Sequence, residues 1–127
     1  MTNRAIISTP HAPAAIGPYS QAVKVGSTVW ISGQIPLRPG SMELVEGDIA
    51  AQAEQVFRNL AAIAEAAGGT LNNAVKINIS LTDLQDFTAV NEVMTRFFAE
   101  PYPARACVQV AALPKDVDIE VEAILAI

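Results

Sequence analysis

Val75-Lys76-Ile77-Asn78-Ile79-Ser80-Leu81 alternates apolar and polar side chains without a break. Successive residues of a strand point to opposite faces, so this segment reads as a strand with one buried face. The segments on either side carry a longer period. Before it, Ile49, Ala53, Val56, Leu60, Ile63 and Ala67 recur at steps of four and three, the spacing of one buried helical stripe. Asp48 stands where an N-cap belongs, and Gly68-Gly69 stops the helix. After it, Phe87, Val90, Met94 and Phe97 form a second stripe, with Asp86 as the expected cap and Pro101 and Pro103 past the end.

Working outward, residues 4–9 suit an edge strand, stopped by Pro10 and Pro13, which leave an extended loop through Pro18. Residues 22–25 and 28–34 read as two strands joined at Gly26-Ser27, a pair suited to a tight type II′ turn. Pro36, Pro39 and Gly40 enforce a loop to about residue 47. Two more strands close the chain. In one, Arg105, Cys107 and Gln109 oppose Ala104, Ala106, Val108 and Val110; in the other, Asp118, Glu120 and Glu122 oppose Val117, Ile119, Val121 and Ala123. The order strand–strand–strand–helix–strand–helix–strand–strand predicts an α+β sandwich with both helices on one face of a sheet. The expectation is that the Arg105 guanidinium and the Glu120 carboxylate lie over the same sheet face. Such a pair suits a small substrate that carries its own carboxylate and needs a water molecule activated.

At 127 residues the chain suits one domain, 1–127, able to bury a core without disulfides or metals. Only 17% of residues are charged, which leaves too few to wet a small monomer's surface and points to self-association. The net charge of −5, with Lys and Arg scattered rather than clustered, offers no footprint for nucleic acid. One Cys and one His, far apart, exclude a disulfide framework and a transition-metal site, and no cofactor is implied. The first residues lack an apolar stretch of signal-peptide length, and no window approaches ~20 apolar residues. A cytoplasmic protein with no membrane span is the expectation.

Several side chains are candidates for chemistry. Arg105 is either a surface arginine or a planar fork for bidentate carboxylate binding, which Lys cannot provide. Glu120 is, on the residues alone, one of three acids along a wet strand. Cys107 would need a nearby His or a helix N-terminus to become a nucleophile, and His11 lies in a proline-flanked loop, so a packing role is preferred. Tyr19, in a Gly-Pro-Tyr turn, is a packing aromatic or a pocket wall. Ser32-Gly33 interrupts an apolar strand, which marks a close backbone approach, a bulge or a subunit contact. Asn91 sits inside the second helix, where Asn is disfavoured, and either reaches into a pocket or faces solvent.

Gly17-Pro18-Tyr19-Ser20-Gln21-Ala22, Ser32-Gly33-Gln34-Ile35-Pro36, residues 103–107, Leu113-Pro114-Lys115-Asp116 and Ile119-Glu120 follow one another at suitable spacing over residues 16–123. In that order they resemble the reactive intermediate deaminase family, also called RidA or YjgF. The resemblance implies a chorismate-mutase-like mixed β-sheet assembled as a homotrimer with its sites between subunits. It implies hydrolytic deamination of 2-imino acids and their enamines, such as 2-aminoacrylate, 2-iminopropanoate and 2-iminobutyrate, to 2-oxo acids and ammonia. Arg105 would bind the substrate carboxylate and Glu120 would position or activate water. Backbone groups at Cys107 would touch the substrate, its thiol being dispensable, while Tyr19, Ser32, Gly33 and Asn91 would complete the pocket. Two other readings stand beside this one: non-catalytic sensing of small 2-oxo acids, and an endoribonuclease or translation-inhibitor activity attributed to some relatives. A chaperone-like role is neither favoured nor opposed.

Overall fold

The computed structural model describes residues 3–127. The strands are β1 (Arg4–Ile7), β2 (Ala22–Val25), β3 (Thr28–Gln34), β4 (Ala74–Leu81), β5 (Ala104–Gln109) and β6 (Ile119–Ala126), and the helices are α1 (Ile49–Ala66) and α2 (Phe87–Phe97). The strands form one sheet in the order β1-β2-β3-β6-β4-β5. β6 is inserted antiparallel between β3 and β4, and β5 runs parallel to β4, so the sheet is mixed.

This topology explains why both helices share a face. β3 and β4 each oppose β6, so they are parallel to each other, and α1 is the crossover between them. The next crossover, α2, carries the chain from β4 to β5 in the same direction across the sheet. Crossovers of parallel strands are right-handed, so two consecutive steps in one direction stack their helices on one side. Beneath them lies one apolar cluster: Val29, Ile31, Ile77, Ile79, Leu81, Ile119, Val121 and Leu125 from the sheet meet Val56, Phe57, Leu60 and Ile63 of α1 and Val90 and Val93 of α2. Phe57 lies at its centre, with its ring 5.6 Å from that of Phe97 and 5.7 Å from that of Phe98. Truncating Phe57 to alanine there costs about 3–5 kcal/mol.

Local signals largely act as expected. Gly26 alone of the two turn residues takes a positive φ, +59°, the signature of a type II′ hairpin. The Asp48 side chain accepts from the Ala51 amide at 2.9 Å, and Gly68 ends α1 with φ +98°. Asp86 corrects its expected role: it has helical backbone angles and makes no cap bond. The capping carboxylate is Asp83, which accepts from the Gln85 amide at 2.9 Å and opens a 3₁₀ turn that runs into α2. β1 keeps its edge position but stops at Ile7, because the Thr9 backbone is taken by the Gln21 side chain instead of a strand partner.

The sheet face opposite the helices is bare in the single chain. Its apolar side chains stand in solvent: Ile6 is 55% exposed, Trp30 52% and Val108 50%. A sheet normally buries both faces when both carry large apolar groups, so this surface is built to be covered.

Candidate functional site

The two C-terminal strands do not place Arg105 and Glu120 together. Each strand pairs with β4, which lies between them. Arg105 is level with Ile77, whose side chain is buried under the helices, and Glu120 is level with Ser80, on the bare face. Residues 77 and 80 differ by an odd number, so the two side chains leave opposite faces of the sheet. The expected single-face crevice is therefore corrected. The candidate residues divide into two clusters.

The first cluster surrounds Glu120. Tyr19, Ser32, Gly33 and Glu120 line a cavity of about 530 Å³ on the bare face, together with Lys115 and Glu122. A bulge makes this possible. Between Ile31 and Gln34 the pairing of β3 with β6 slips by one residue, which presents the Gly33 backbone to the Glu120 carboxylate. The contact is so close that a Cβ on Gly33 would lie 2.9 Å from Glu120 Cδ. Of the three meanings open for Ser32-Gly33, the bulge and the close approach are both realised. The Ser32 hydroxyl donates to the Ser20 carbonyl at 2.6 Å, and its amide donates to Gln21 O at 2.9 Å, tying the Tyr19 loop to β3. Glu120 is half-buried. Loss of hydration raises its pKa above the ordinary glutamate value, and the neighbouring Glu122 raises it further. Glu122 itself accepts from Asn78 Nδ2 at 3.1 Å.

The second cluster surrounds Arg105. Asn91, Met94, Tyr102, Pro103 and Arg105 border a cavity of about 460 Å³ on the helix side of β5. Arg105 Nη1 donates to Asn91 Oδ1 and lies 3.8 Å from the Met94 sulfur, and its guanidinium carbon sits 4.9 Å from the centre of the Phe87 ring. All these neighbours are neutral. Among the described residues no carboxylate pairs with Arg105, so its charge is free for an anion. Asn91 thus reaches the site and does not simply face solvent.

Cys107 is level with Ile79 and half-buried against the core. Burial pushes its thiol pKa up, against the pull of Arg105, which leaves it protonated at neutral pH. His11 follows β1 at one edge of the sheet and Cys107 lies on β5 at the other, so no Cys–His dyad forms within the chain.

Two residues that shape the first cavity escaped the sequence reading. Buried Gln21 accepts from the Thr9 amide at 2.7 Å and donates to Thr9 O at 3.0 Å and Pro13 O at 2.8 Å, which pins the loop carrying Tyr19. Fully buried Asn59 donates to Leu37 O at 3.0 Å and fixes the segment after β3. A signal existed for Asn59: it is one polar residue on the helix face shared by Val56 and Ile63.

Comparison with known proteins gives the chain a family. The family model described as Endoribonuclease L-PSP matches residues 9–127. A 2-iminobutanoate/2-iminopropanoate deaminase of Dermatophagoides farinae is 49% identical over 127 residues, covering 100% of this chain and 99% of that one. The crystal structure of RidA from an Antarctic Psychrobacter species superposes with a TM-score of 0.94 at 63% identity, covering 97% of this chain and 99% of that one. Escherichia coli TdcF, in a crystal structure with bound serine, superposes with a TM-score of 0.91 at 45% identity, covering 97% and 98%. Five ordered motifs, a mixed six-stranded sheet under two helices, and near-complete matches in sequence and structure lead to one conclusion: the chain belongs to the Endoribonuclease L-PSP family, the RidA/YjgF group.

Proposed function

We propose that the protein hydrolyses small 2-imino acids and their enamine tautomers to 2-oxo acids and ammonia, at sites built between subunits of a chorismate-mutase-like homotrimer. The observation that carries this reading is the free guanidinium of Arg105, held by neutral groups alone at the rim of a small cavity. It is matched by a carboxylate, Glu120, that shares neither its sheet face nor its cavity. Two half-sites on opposite faces can serve one substrate only if Arg105 of one subunit meets Glu120 of a neighbour. The exposed apolar side chains of the bare face supply a surface for that contact.

In this assembly the Arg105 fork holds the substrate carboxylate, and backbone groups at Cys107 hold the imine end. Glu120 takes a proton from water as the water attacks the imine carbon and passes it to the nitrogen, which becomes the leaving amine. Collapse of the resulting amino alcohol expels ammonia and leaves the 2-oxo acid. Imines already hydrolyse in water, so positioning and one acid/base group supply enough acceleration. The raised pKa of Glu120 makes it a better proton acceptor near neutrality than an ordinary glutamate. Tyr19, Ser32 and Gly33 wall the Glu120 side, and Asn91 steadies Arg105. No cofactor takes part, and the lone thiol suits a reducing cytoplasm.

The test generates 2-iminobutyrate in situ with a PLP-dependent threonine dehydratase and follows its decay. The protein should speed the decay, and Arg105→Ala should abolish the effect. An unchanged decay rate with wild-type protein ends the proposal. The serine bound to TdcF favours a second reading, ligand sensing without turnover. Under that reading the wild type binds 2-oxobutyrate but leaves the imine untouched.

A further inference from the structure

We infer that Phe87 is a positioning residue of the Arg105 clamp, acting through the π-face of its ring; the inference rests on the carboxylate-binding reading of Arg105. Phe87, Asn91 and Met94 stand at i, i+4 and i+7 on α2, so they form one row on the helix surface. That row lies against Arg105. The ring is 4.9 Å from the guanidinium carbon, Asn91 Oδ1 accepts from Nη1, and the Met94 sulfur is 3.8 Å from the same nitrogen.

The division of labour follows from the shape of a guanidinium. A planar cation has two faces and an edge. The guanidinium carbon sits over the Phe87 ring and Asn91 takes an N–H of Nη1, which leaves the remaining N–H groups for an incoming anion. Among the described residues no acceptor engages Nε or Nη2. An acidic partner would hold the side chain as firmly but would also neutralise it. An aromatic face and an amide oxygen restrain it while leaving the positive charge intact. A long arginine on an exposed edge strand otherwise loses rotamer freedom when it binds. The row on α2 removes that freedom beforehand and aims the fork edge-on, the approach a compact carboxylate needs for two parallel hydrogen bonds.

A packing role and a π-face role make different predictions for near-isosteric rings. Mono-, di- and trifluorinated phenylalanine incorporated at position 87 drain the ring's negative face while keeping its size. Affinity for 2-oxobutyrate, measured by calorimetry, should fall stepwise along the series, reaching roughly threefold to thirtyfold at the end. The melting temperature should stay level. Steady-state kinetics should show the loss in KM with kcat nearly unchanged, because the clamp grips ground state and transition state alike. Phe87→Tyr should bind like wild type, whereas Phe87→Leu should fall with the trifluoro protein. A flat fluorine series, with wild-type protein binding 2-oxobutyrate normally, overturns the role of Phe87 alone. Failure of the wild type itself to bind 2-oxobutyrate overturns the carboxylate reading and this inference with it.

Discussion

Replacing Gly33 with alanine adds one methyl group where β3 touches the Glu120 carboxylate. The new Cβ would lie 2.9 Å from Cδ, 3.0 Å from Oε2 and 3.1 Å from Cγ, whereas ordinary contact begins at 3.4 Å. Every close atom belongs to one side chain, and Gly33 has no left-handed φ that alanine would strain. The fold can therefore absorb the methyl by moving the Glu120 carboxylate about 0.5 Å or more. Stability should change by no more than about 1 kcal/mol, since the tighter contact is offset by a less flexible unfolded chain. Catalysis is less tolerant. A misplacement of ~1 Å costs on the order of a hundredfold, so Gly33→Ala should lower kcat roughly tenfold to a hundredfold. The assay is decay of 2-iminobutyrate at saturating concentration, paired with a thermal melt and a sedimentation check of assembly. Full turnover in a variant that melts and assembles like wild type would refute the placement of Glu120 as the water-activating group.

Glu120 also sets a pH dependence. Its folded pKa is raised, chiefly by burial, so the stability it contributes is complete below the ordinary glutamate pKa and is lost as pH climbs through the folded value. Glu120→Gln should melt higher than wild type at neutral pH, with the difference vanishing near pH ~4, and thermal melts across that range check it. The acid limb of the wild-type rate profile should sit above the usual glutamate position for the same reason. Gln21→Ala strands the buried Thr9 amide and frees the Tyr19 loop; the melting temperature should fall by roughly 5–10 °C, with KM rising. Cys107→Ser should keep turnover within about twofold of wild type in the same decay assay, because a protonated, packed thiol supplies no nucleophile.

The helices and strands were legible because each carries an unbroken period: the alternation over β4 and the four-three stripe of α1 leave no rival reading. Side-chain parity within a strand was legible for the same reason, and Arg105 and Cys107 do share a face. The relation between strands was not. Parity says which residues of β5 or of β6 agree with each other, but not how either strand registers against β4, and that register sends Arg105 and Glu120 to opposite faces. Asp86 misled because two acids, Asp83 and Asp86, stand at cap distance from one helix, and only the intervening 3₁₀ turn selects the first. Gln21 lay hidden because its bonds reach 8 to 12 residues back along the chain to a loop with no period of its own.

In the proposed assembly one working site draws its arginine from one chain and its glutamate from another. Arg105→Ala and Glu120→Gln proteins, each inactive alone, can be unfolded together, mixed in equal amounts and refolded. Random assembly pairs an intact Arg105 with an intact Glu120 from a neighbour at about a quarter of the interfaces, so about a quarter of wild-type deaminase activity should return. A mixture as inactive as its parents, despite mixed assemblies seen by mass spectrometry, would contradict the account.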